Sequence, residues 1–390
     1  MTRRAVGAAG GAAAKLDWDQ VAAWRLRRHH LDRRAPAADA LAVVADLAGL
    51  HAQIASSAEL TLWARGDDLA PDAVRRALWE DRTLVKTWAM RGTLHLLPGT
   101  DYPHWQAGLA ARYDPKPAWF RAFGGTPEEL ELLIAGVRDA LEGRLLTRQE
   151  LADEVGRRTG LAELAAKLAG SWGSLLKPAA FRGHLCFGPS AGQYVRFTRP
   201  DTWLGHWEPV QPDQALPEVT RTYLGAGGPA TREDLARWWG VSPAAGQRML
   251  AGLGEEATAV ELDGTRAWML SGHLAEAQAA EPPGAGPDAV RLLPAFDQYV
   301  IAATRHAERL MPGPFADRVY RPQGWLSPVL LVRGRMAGIW RHEVKRRHVD
   351  VRIEPFTAQP AWVIKAAEAE AERLAAWLGG TPRTTWAEPA

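Results

Sequence analysis

The segment Gly49-Leu50-His51-Ala52-Gln53-Ile54-Ala55-Ser56-Ser57-Ala58-Glu59-Leu60 places a histidine and a glutamine two positions apart, just ahead of a helical pattern. Ser56 and Glu59 have the spacing of a capping box, which predicts a helix from about Ser57 and leaves His51 to Ala55 as the connection before it. In an extended connection residues i and i+2 point the same way, so His51 and Gln53 present two polar side chains on one side. Such a pair can hold a water molecule between them. Polar residues in a turn are ordinary, and taken alone the loop also reads as purely structural.

Two other enzyme-like patterns fail on context. Gly188-Pro189-Ser190-Ala191-Gly192 matches G-x-S-x-G, but a nucleophile elbow needs a strand feeding a helix, and here strand-like residues stand on both sides, so a hairpin turn is expected. His342-Glu343 is followed by Arg346 where a zinc protease helix needs its second histidine. No phosphate-binding or dinucleotide-binding glycine loop occurs. Cys186 is the sole cysteine, which excludes an internal disulfide, a cysteine-rich zinc module and a four-cysteine iron–sulfur cluster. No metal and no cofactor are therefore expected.

The 390 residues exceed one ordinary core, and roughly two to four domains are expected. An apolar content of 47% suffices to fold them. No apolar run reaches the ~18 residues of a membrane span and the N-terminus lacks a signal-like apolar stretch, so a cytoplasmic protein that does not engage membranes is expected. Basic clusters stand at Trp24-Arg25-Leu26-Arg27-Arg28-His29-His30 and Arg341-His342-Glu343-Val344-Lys345-Arg346-Arg347-His348, each readable as a nucleic-acid face or as an ordinary solvated one.

Residues 1–14, rich in Gly and Ala, read as a disordered tail. Helices are predicted at 18–30, 38–50, 56–65 and 71–80, followed by a hairpin of Thr83–Met90 and Thr93–Leu97, the grammar of a winged helix-turn-helix. Thr147-Arg148-Gln149-Glu150-Leu151-Ala152 and Thr231-Arg232-Glu233-Asp234-Leu235-Ala236 repeat that grammar, each opening a helix with a Thr cap and an acid three positions on. A helix at 162–180 and strands 184–188 and 193–198 follow the first copy; a helix at 243–253 and strands 257–262 and 266–270 follow the second. Past the Pro/Gly-rich linker Glu281–Pro287 the pattern turns to strands, 290–293, 328–332, 335–340 and 349–353, with a last helix at 362–378. The expected fold is α+β: three tandem winged helix-turn-helix units (15–125, 126–212 and 213–275) and a C-terminal β-barrel-like domain with a terminal helix (276–390).

Four ordered motifs carry a resemblance. His51-Ala52-Gln53 followed by Ser56-Ser57-Ala58-Glu59-Leu60, then Lys86-Thr87-Trp88-Ala89-Met90-Arg91-Gly92-Thr93-Leu94-His95-Leu96, then Leu293-Pro294-Ala295-Phe296-Asp297-Gln298-Tyr299, and Gly338-Ile339-Trp340, resemble the AlkZ/YcaQ-type winged-helix DNA glycosylases over roughly residues 17 to 380. The resemblance implies removal of bulky or crosslinked N7-alkylpurines from double-stranded DNA, self-resistance to a genotoxin in some members, and a catalytic role for His51 and Gln53. The family's usual pair is Gln-x-Gln or Gln-x-Asp; here the first position is His51.

The chemistry suits that motif. Alkylation at N7 makes the base a good leaving group, and what remains is to place a water at C1′ as an oxocarbenium-like sugar develops. Gln53 can orient that water but not take its proton; a neutral His51 with an ordinary pKa near 6.5 can do both, and excision would then fall as pH drops through roughly 6 to 7. No lysine lies near the pair in sequence, so water rather than an amine is the expected nucleophile, without a lyase step. The hairpin Trp88–His95, with Arg91 at its tip and His95 on its return, is expected to face DNA, and Lys177 and Arg182 to contact phosphates. For Arg91 the alternative is an arginine satisfying carbonyls inside the protein. The protein is expected to work as a monomer; a winged-helix regulator and a lesion binder without excision stay open as alternatives.

Overall fold

The computed structural model describes residues 13–112, 120–171, 173–311 and 313–389. The tail expected at 1–14 falls outside these up to residue 12, and Ala14–Leu16 already forms a strand, parallel to Ala257–Leu262. Helices and strands are mixed throughout. In three places a hairpin is joined by a short piece of chain that leads toward a helix. Leu84–Trp88 and Leu94–Pro98 pair, and Leu50–His51 adds to the second strand with His51 opposite His95. Cys186–Ala191 and Tyr194–Thr198 pair, and Leu146–Thr147 adds with Thr147 opposite Arg196. Ala257–Leu262 and Thr265–Leu270 pair, and Ala230 bridges to Trp268 just before Thr231. The Gly188–Gly192 stretch runs through the end of the strand Cys186–Ala191 into the turn before Tyr194–Thr198, with Gly192 at φ 58°, so no helix follows Ser190.

Most predicted elements sit within a few residues of their places. The expected helix at 38–50 ends at Asp46 because Ala48 and Gly49 both take positive φ, 56° and 87°, which turns the chain into the strand that carries His51. At Gly49 a Cβ would stand 2.6 Å from Leu97, so only glycine fits that close approach. The capping box expected at Ser56 and Glu59 does not form. The Ala52 N–H is bonded to the Leu94 carbonyl (2.8 Å), and the helix begins soon after it, at Ala55, with Ile54 at the cap position and no side-chain cap. Thr147 with Glu150 and Thr231 with Asp234 do form capping boxes. The helix expected at 162–180 breaks into Ala162–Gly170 and Lys177–Phe181. Between them Gly173, at φ 88°, lies against the Trp88 ring, which a Cβ would meet at 2.5 Å.

Most of the first basic cluster is turned inward, although Arg27 stays exposed and pairs with Asp32 and Glu276. The helix Pro212–Gly227 ends in carbonyls that its own chain cannot satisfy. Arg25 donates to the carbonyls of Gly227 (2.7 Å), Pro229 (3.0 Å) and Gly228 (3.1 Å), Arg28 to Gly225 (3.1 Å), and the His29 ring meets the Ala226 carbonyl (2.9 Å). Positive groups at a helix C-terminus also complement its dipole. The helix Trp18–Arg28 is thereby locked to the third hairpin's region. The second cluster lies on the hairpin of Arg335–Val344 and His348–Pro355, with Arg346 and Arg347 exposed at its turn.

The C-terminal region is an open sheet and not a barrel. Its five strands run in the order Val290–Leu293, Val329–Val332, Arg335–Val344, His348–Pro355, Thr381–Trp386, with free edges at both ends. The last strand carries no strand pattern in the sequence. It pairs in parallel with His348–Pro355, and the helix Ala361–Trp377 is the crossover that parallel pairing requires. Alternate residues Val349, Val351 and Ile353 are buried, and the helix lays Val363, Ala367, Ala371 and Leu374 into the same core. A sheet covered in this way buries its apolar face without closing on itself. The apolar core falls into two clusters: the N-terminal helices share one with this sheet, while the hairpin Leu84–Pro98 belongs largely to the other, with the middle of the chain.

Candidate active site

A cleft of about 600 Å³ opens where the first hairpin, the helix Arg232–Trp239 and the loops of the C-terminal sheet converge. His51 and Gln53 both line it, as expected for residues two apart in extended chain. His51 is 5% exposed and Gln53 is exposed. Backbone pairing to Leu94–Pro98 fixes the position of His51, and its ring is held from two directions. Phe296 stacks on it with centroids 4.8 Å apart and planes 17° apart, and His95 meets it edge-on at 5.4 Å.

Phe296 owes its place to a buried latch. It follows the strand Val290–Leu293 and takes φ 58°, a left-handed conformation that a bulky residue holds only when its surroundings impose it. The next residue, Asp297, is fully buried and accepts two hydrogen bonds from the equally buried Arg65 guanidinium, at 2.7 and 2.8 Å. Asp297 also caps the helix Gln298–Ala302 by accepting from the Tyr299 N–H. Gln298 donates to the Gly49 carbonyl, two residues before His51. Trp340 donates to the Leu293 carbonyl (2.8 Å), steadying the same strand end. The Leu293–Tyr299 and Gly338–Trp340 motifs thus hold the wall against which His51 stands. Neither periodicity nor composition signalled this role for Arg65, Asp297 and Gln298, because their partners are distant in sequence.

The electrostatics correct one expectation. Burial first, then the Arg91 guanidinium, pull the His51 pKa down to about 4 rather than leaving it near the ordinary 6.5. Its imidazole is neutral throughout the neutral range, and Nδ1 is buried without a partner. His95 is held well below the usual histidine range, by burial ahead of the charges of His51 and Arg91, and its Nδ1 meets the Thr93 carbonyl at 3.1 Å. Arg91 stands at the hairpin tip with φ 55°, followed by Gly92 at φ 70°. It donates to the Trp238 carbonyl (3.3 Å) while lining the cleft, so it satisfies a carbonyl and also faces the opening. Burial and Arg237 lower its pKa to about 10, which leaves it charged at neutral pH.

Among the described residues, Arg91, Arg237, Arg305 and Arg321 line the cleft against one acid, Asp234. That acid is already engaged by Arg305 at 2.8 Å and His306 at 3.2 Å. The cleft is therefore positive, as a phosphate-tracking surface is. No lysine is among the described residues that line it.

The remaining predicted residues lie elsewhere. Trp88, expected at the DNA face, is 5% exposed and packs edge-on to Phe187 (4.9 Å) and stacked with Phe197 (6.2 Å), so it joins the first hairpin to the second. His95 is 1% exposed and meets the His51 ring edge-on. Lys177 opens the short helix Lys177–Phe181 and lies close to Gly92, behind the Arg91 tip and outside the cleft. Arg182 makes a two-pronged pair with Glu131, its Nη2 at 2.7 Å, also away from the cleft.

Known proteins match this chain over nearly its whole length. Residues 44–377 fit the family described as DNA glycosylase AlkZ-like. The chain is 37% identical over 369 residues to an interstrand DNA cross-link repair glycosylase of Streptomyces sahachiroi, covering 93% of this chain and 96% of that protein. The solved structure of the Streptomyces sahachiroi DNA glycosylase AlkZ superposes with a TM-score of 0.84 at 36% identity, covering 95% of this chain and all of that one.

Proposed function

The chain belongs to the AlkZ-like family and is a DNA glycosylase, and from that premise we propose that it hydrolyses the N-glycosidic bond of bulky N7-alkylated purines in double-stranded DNA, guanine adducts of a DNA-alkylating natural product included, as a cytoplasmic monomer without lyase activity. The observation that carries this reading is the placement of His51 and Gln53 side by side in an arginine-lined cleft against a fixed aromatic wall. The three helix-and-hairpin regions are read as winged-helix units, at 15–125, 126–212 and 213–275, that present this cleft to the duplex.

In this reading Gln53 and the neutral His51 hold one water at C1′. An N7-alkylated purine carries positive charge, so it departs neutral, and the water meets a sugar already close to an oxocarbenium ion. Water attacking so electron-poor a carbon releases its proton late. A histidine with a pKa near 4 then contributes chiefly as an acceptor that orients the water, and a strong base is not needed. Arg91, Arg237 and Arg321 are the charges offered to phosphates, Arg305 being shared with Asp234; Lys177 and Arg182, the latter paired with Glu131, are assigned to flanking DNA.

The described residues that line the cleft include no lysine, which supports water as nucleophile. The test is incubation with a duplex bearing one N7-alkylguanine, followed by borohydride treatment or by hot alkali. The expected product is an abasic site that breaks only in alkali. A trapped protein–DNA adduct contradicts hydrolysis by water, and an unaltered duplex contradicts excision altogether.

A further inference from the structure

Among the described residues Trp325 is the one tryptophan with a largely exposed ring, 49%. Most of the other tryptophans described fill cores or lie against them. Trp325 lines the same cleft as His51 and Gln53. It stands on a loop closed at its base, where Tyr320 bridges to Leu326 and the Arg321 N–H donates to the Trp325 carbonyl (2.8 Å). The Tyr320 hydroxyl ties that base to the Val300 carbonyl (3.1 Å). Between these anchors Gln323 and Gly324 take positive φ, 61° and 76°, which folds the loop tightly and brings the indole back over the cleft.

The Trp325 ring meets Phe296 edge-on, with centroids 5.1 Å apart, and Phe296 in turn stacks on His51. A continuous aromatic wall therefore runs outward from the water-holding pair. His51 occupies one face of Phe296, so the indole at the outer end is the ring with free surface to offer. Flat aromatic surfaces stack face to face with gains that a saturated ring of the same size does not match.

Resting on the reading of bulky N7-alkylpurines as substrates, we propose that Trp325 is the stacking surface for the flat aromatic part of an N7 substituent, and that it sets a preference for aromatic over equally large saturated adducts. The geometry follows from the purine itself. N7 lies across C8 from N9, in the ring whose bond to C1′ is broken, so a base seated with C1′ at His51 and Gln53 must place its N7 substituent close to the wall that ends at Trp325. Contacts to the substituent exist before and during bond cleavage, so they are expected to act on binding more than on the rate of the bound complex.

The experiment compares duplexes carrying a single N7-benzylguanine or a single N7-(cyclohexylmethyl)guanine, in single-turnover excision at increasing enzyme concentration. The wild-type protein is expected to favour the benzyl adduct by about tenfold, the scale of aromatic stacking on a nucleic-acid component, through a lower half-saturating concentration. Trp325→Ala is expected to abolish that preference, leaving the cyclohexylmethyl adduct within about twofold of wild type and the maximal rates unchanged, while Trp325→Phe keeps most of it. Equal loss on both adducts means that Trp325 stacks on the base or the duplex, and overturns the proposal. So does a benzyl preference that survives Trp325→Ala. If the wild-type protein excises neither adduct, the substrate reading itself falls and takes this proposal with it, whereas excision of both with equal half-saturating concentrations removes only the role of Trp325.

Discussion

Leu50–His51 and Leu146–Thr147 occupy the same place in two sheets. Each is a short outer strand paired with the second strand of a hairpin, and each leads toward a helix. At Thr147 the helix starts at once, and the threonine caps it in a reciprocal box with Glu150. At His51 the chain runs on through Ala52, Gln53 and Ile54 before the helix begins at Ala55 without a side-chain cap. A cap contributes on the order of 1 kcal/mol, so the first junction forgoes a local stabilisation that the second keeps. In exchange two polar side chains face a cleft. The first junction is then held from outside, by Gln298 on the Gly49 carbonyl and by Phe296 on the His51 ring, both set by the Arg65–Asp297 pair. The junction proposed to be functional takes its rigidity from tertiary contacts, and the other from its own sequence.

The largest effect is expected where that outside support is removed. Asp297→Ala strands the fully buried Arg65 without its partner, and loss of one member of a buried pair costs about 3–5 kcal/mol. Urea unfolding is expected to show that loss, and excision should collapse with it because Phe296 is no longer held. The Thr147 junction has no such dependence. An Asp297→Ala protein of wild-type stability would show that the first junction is self-sufficient.

A second difference lies in titration. The folded pKa of His51 is depressed to about 4, below its unfolded value, so between roughly pH 6.5 and 4 the unfolded chain binds a proton that the folded chain refuses. Its contribution to stability is complete above that window and is lost as pH falls through it, by up to about 1.4 kcal/mol per pH unit. His51→Gln is expected to flatten the stability–pH slope by that amount in the upper part of the window, whereas Thr147→Ala is expected to leave that part unchanged and to act only lower, in the carboxylate range, where the threonine helps hold Glu150 below its ordinary pKa. An unaltered slope in His51→Gln would mean that the ring titrates as it does in the unfolded chain.

Smaller still is the cap itself. Thr147→Ala is expected to cost about 1 kcal/mol with excision unaffected, while Gln53→Ala costs little stability and impairs excision, with DNA affinity nearly unchanged because phosphate contacts dominate it. Smallest is Ser190→Ala, on an exposed hairpin end away from the cleft, expected to stay within about threefold of wild-type excision. A loss of about a hundredfold would place Ser190 in the chemistry after all.

What could be read from sequence was what depends on neighbours in the chain. The repeated Thr caps, the Arg91-Gly92 turn and the pairing of His51 with Gln53 all follow from short spacings, and all three are present. What failed depended on distant partners. Ser56 and Glu59 match a capping box, yet the helix that follows the strand at His51 already starts at Ala55, so both lie inside it. Trp88 is expected to face DNA, but Gly173 and the second hairpin close over it. The barrel expectation failed because the strand Thr381–Trp386, with its threonines and proline, lacks the apolar alternation that marks a strand, and it joins the sheet only through a crossover helix. Phe296 and Asp297 stood in a recognisable motif, but their use depends on Arg65, which lies 232 positions away from Asp297.

The central claim is that a neutral His51, paired with Gln53, orients the attacking water. The most direct measurement is the single-turnover excision rate of an N7-alkylguanine duplex from about pH 5.5 to 8, for the wild-type protein and for His51→Ala and His51→Gln. With its pKa held near 4, His51 stays neutral across this range, so the wild-type rate is expected to be flat and to fall only as pH approaches about 4. His51→Ala is expected to lose about a hundredfold, and His51→Gln, which still offers an acceptor to the water, to keep a substantial part of the rate. A wild-type rate that halves between about pH 6 and 7, or His51→Ala excising as fast as wild type, would contradict the claim.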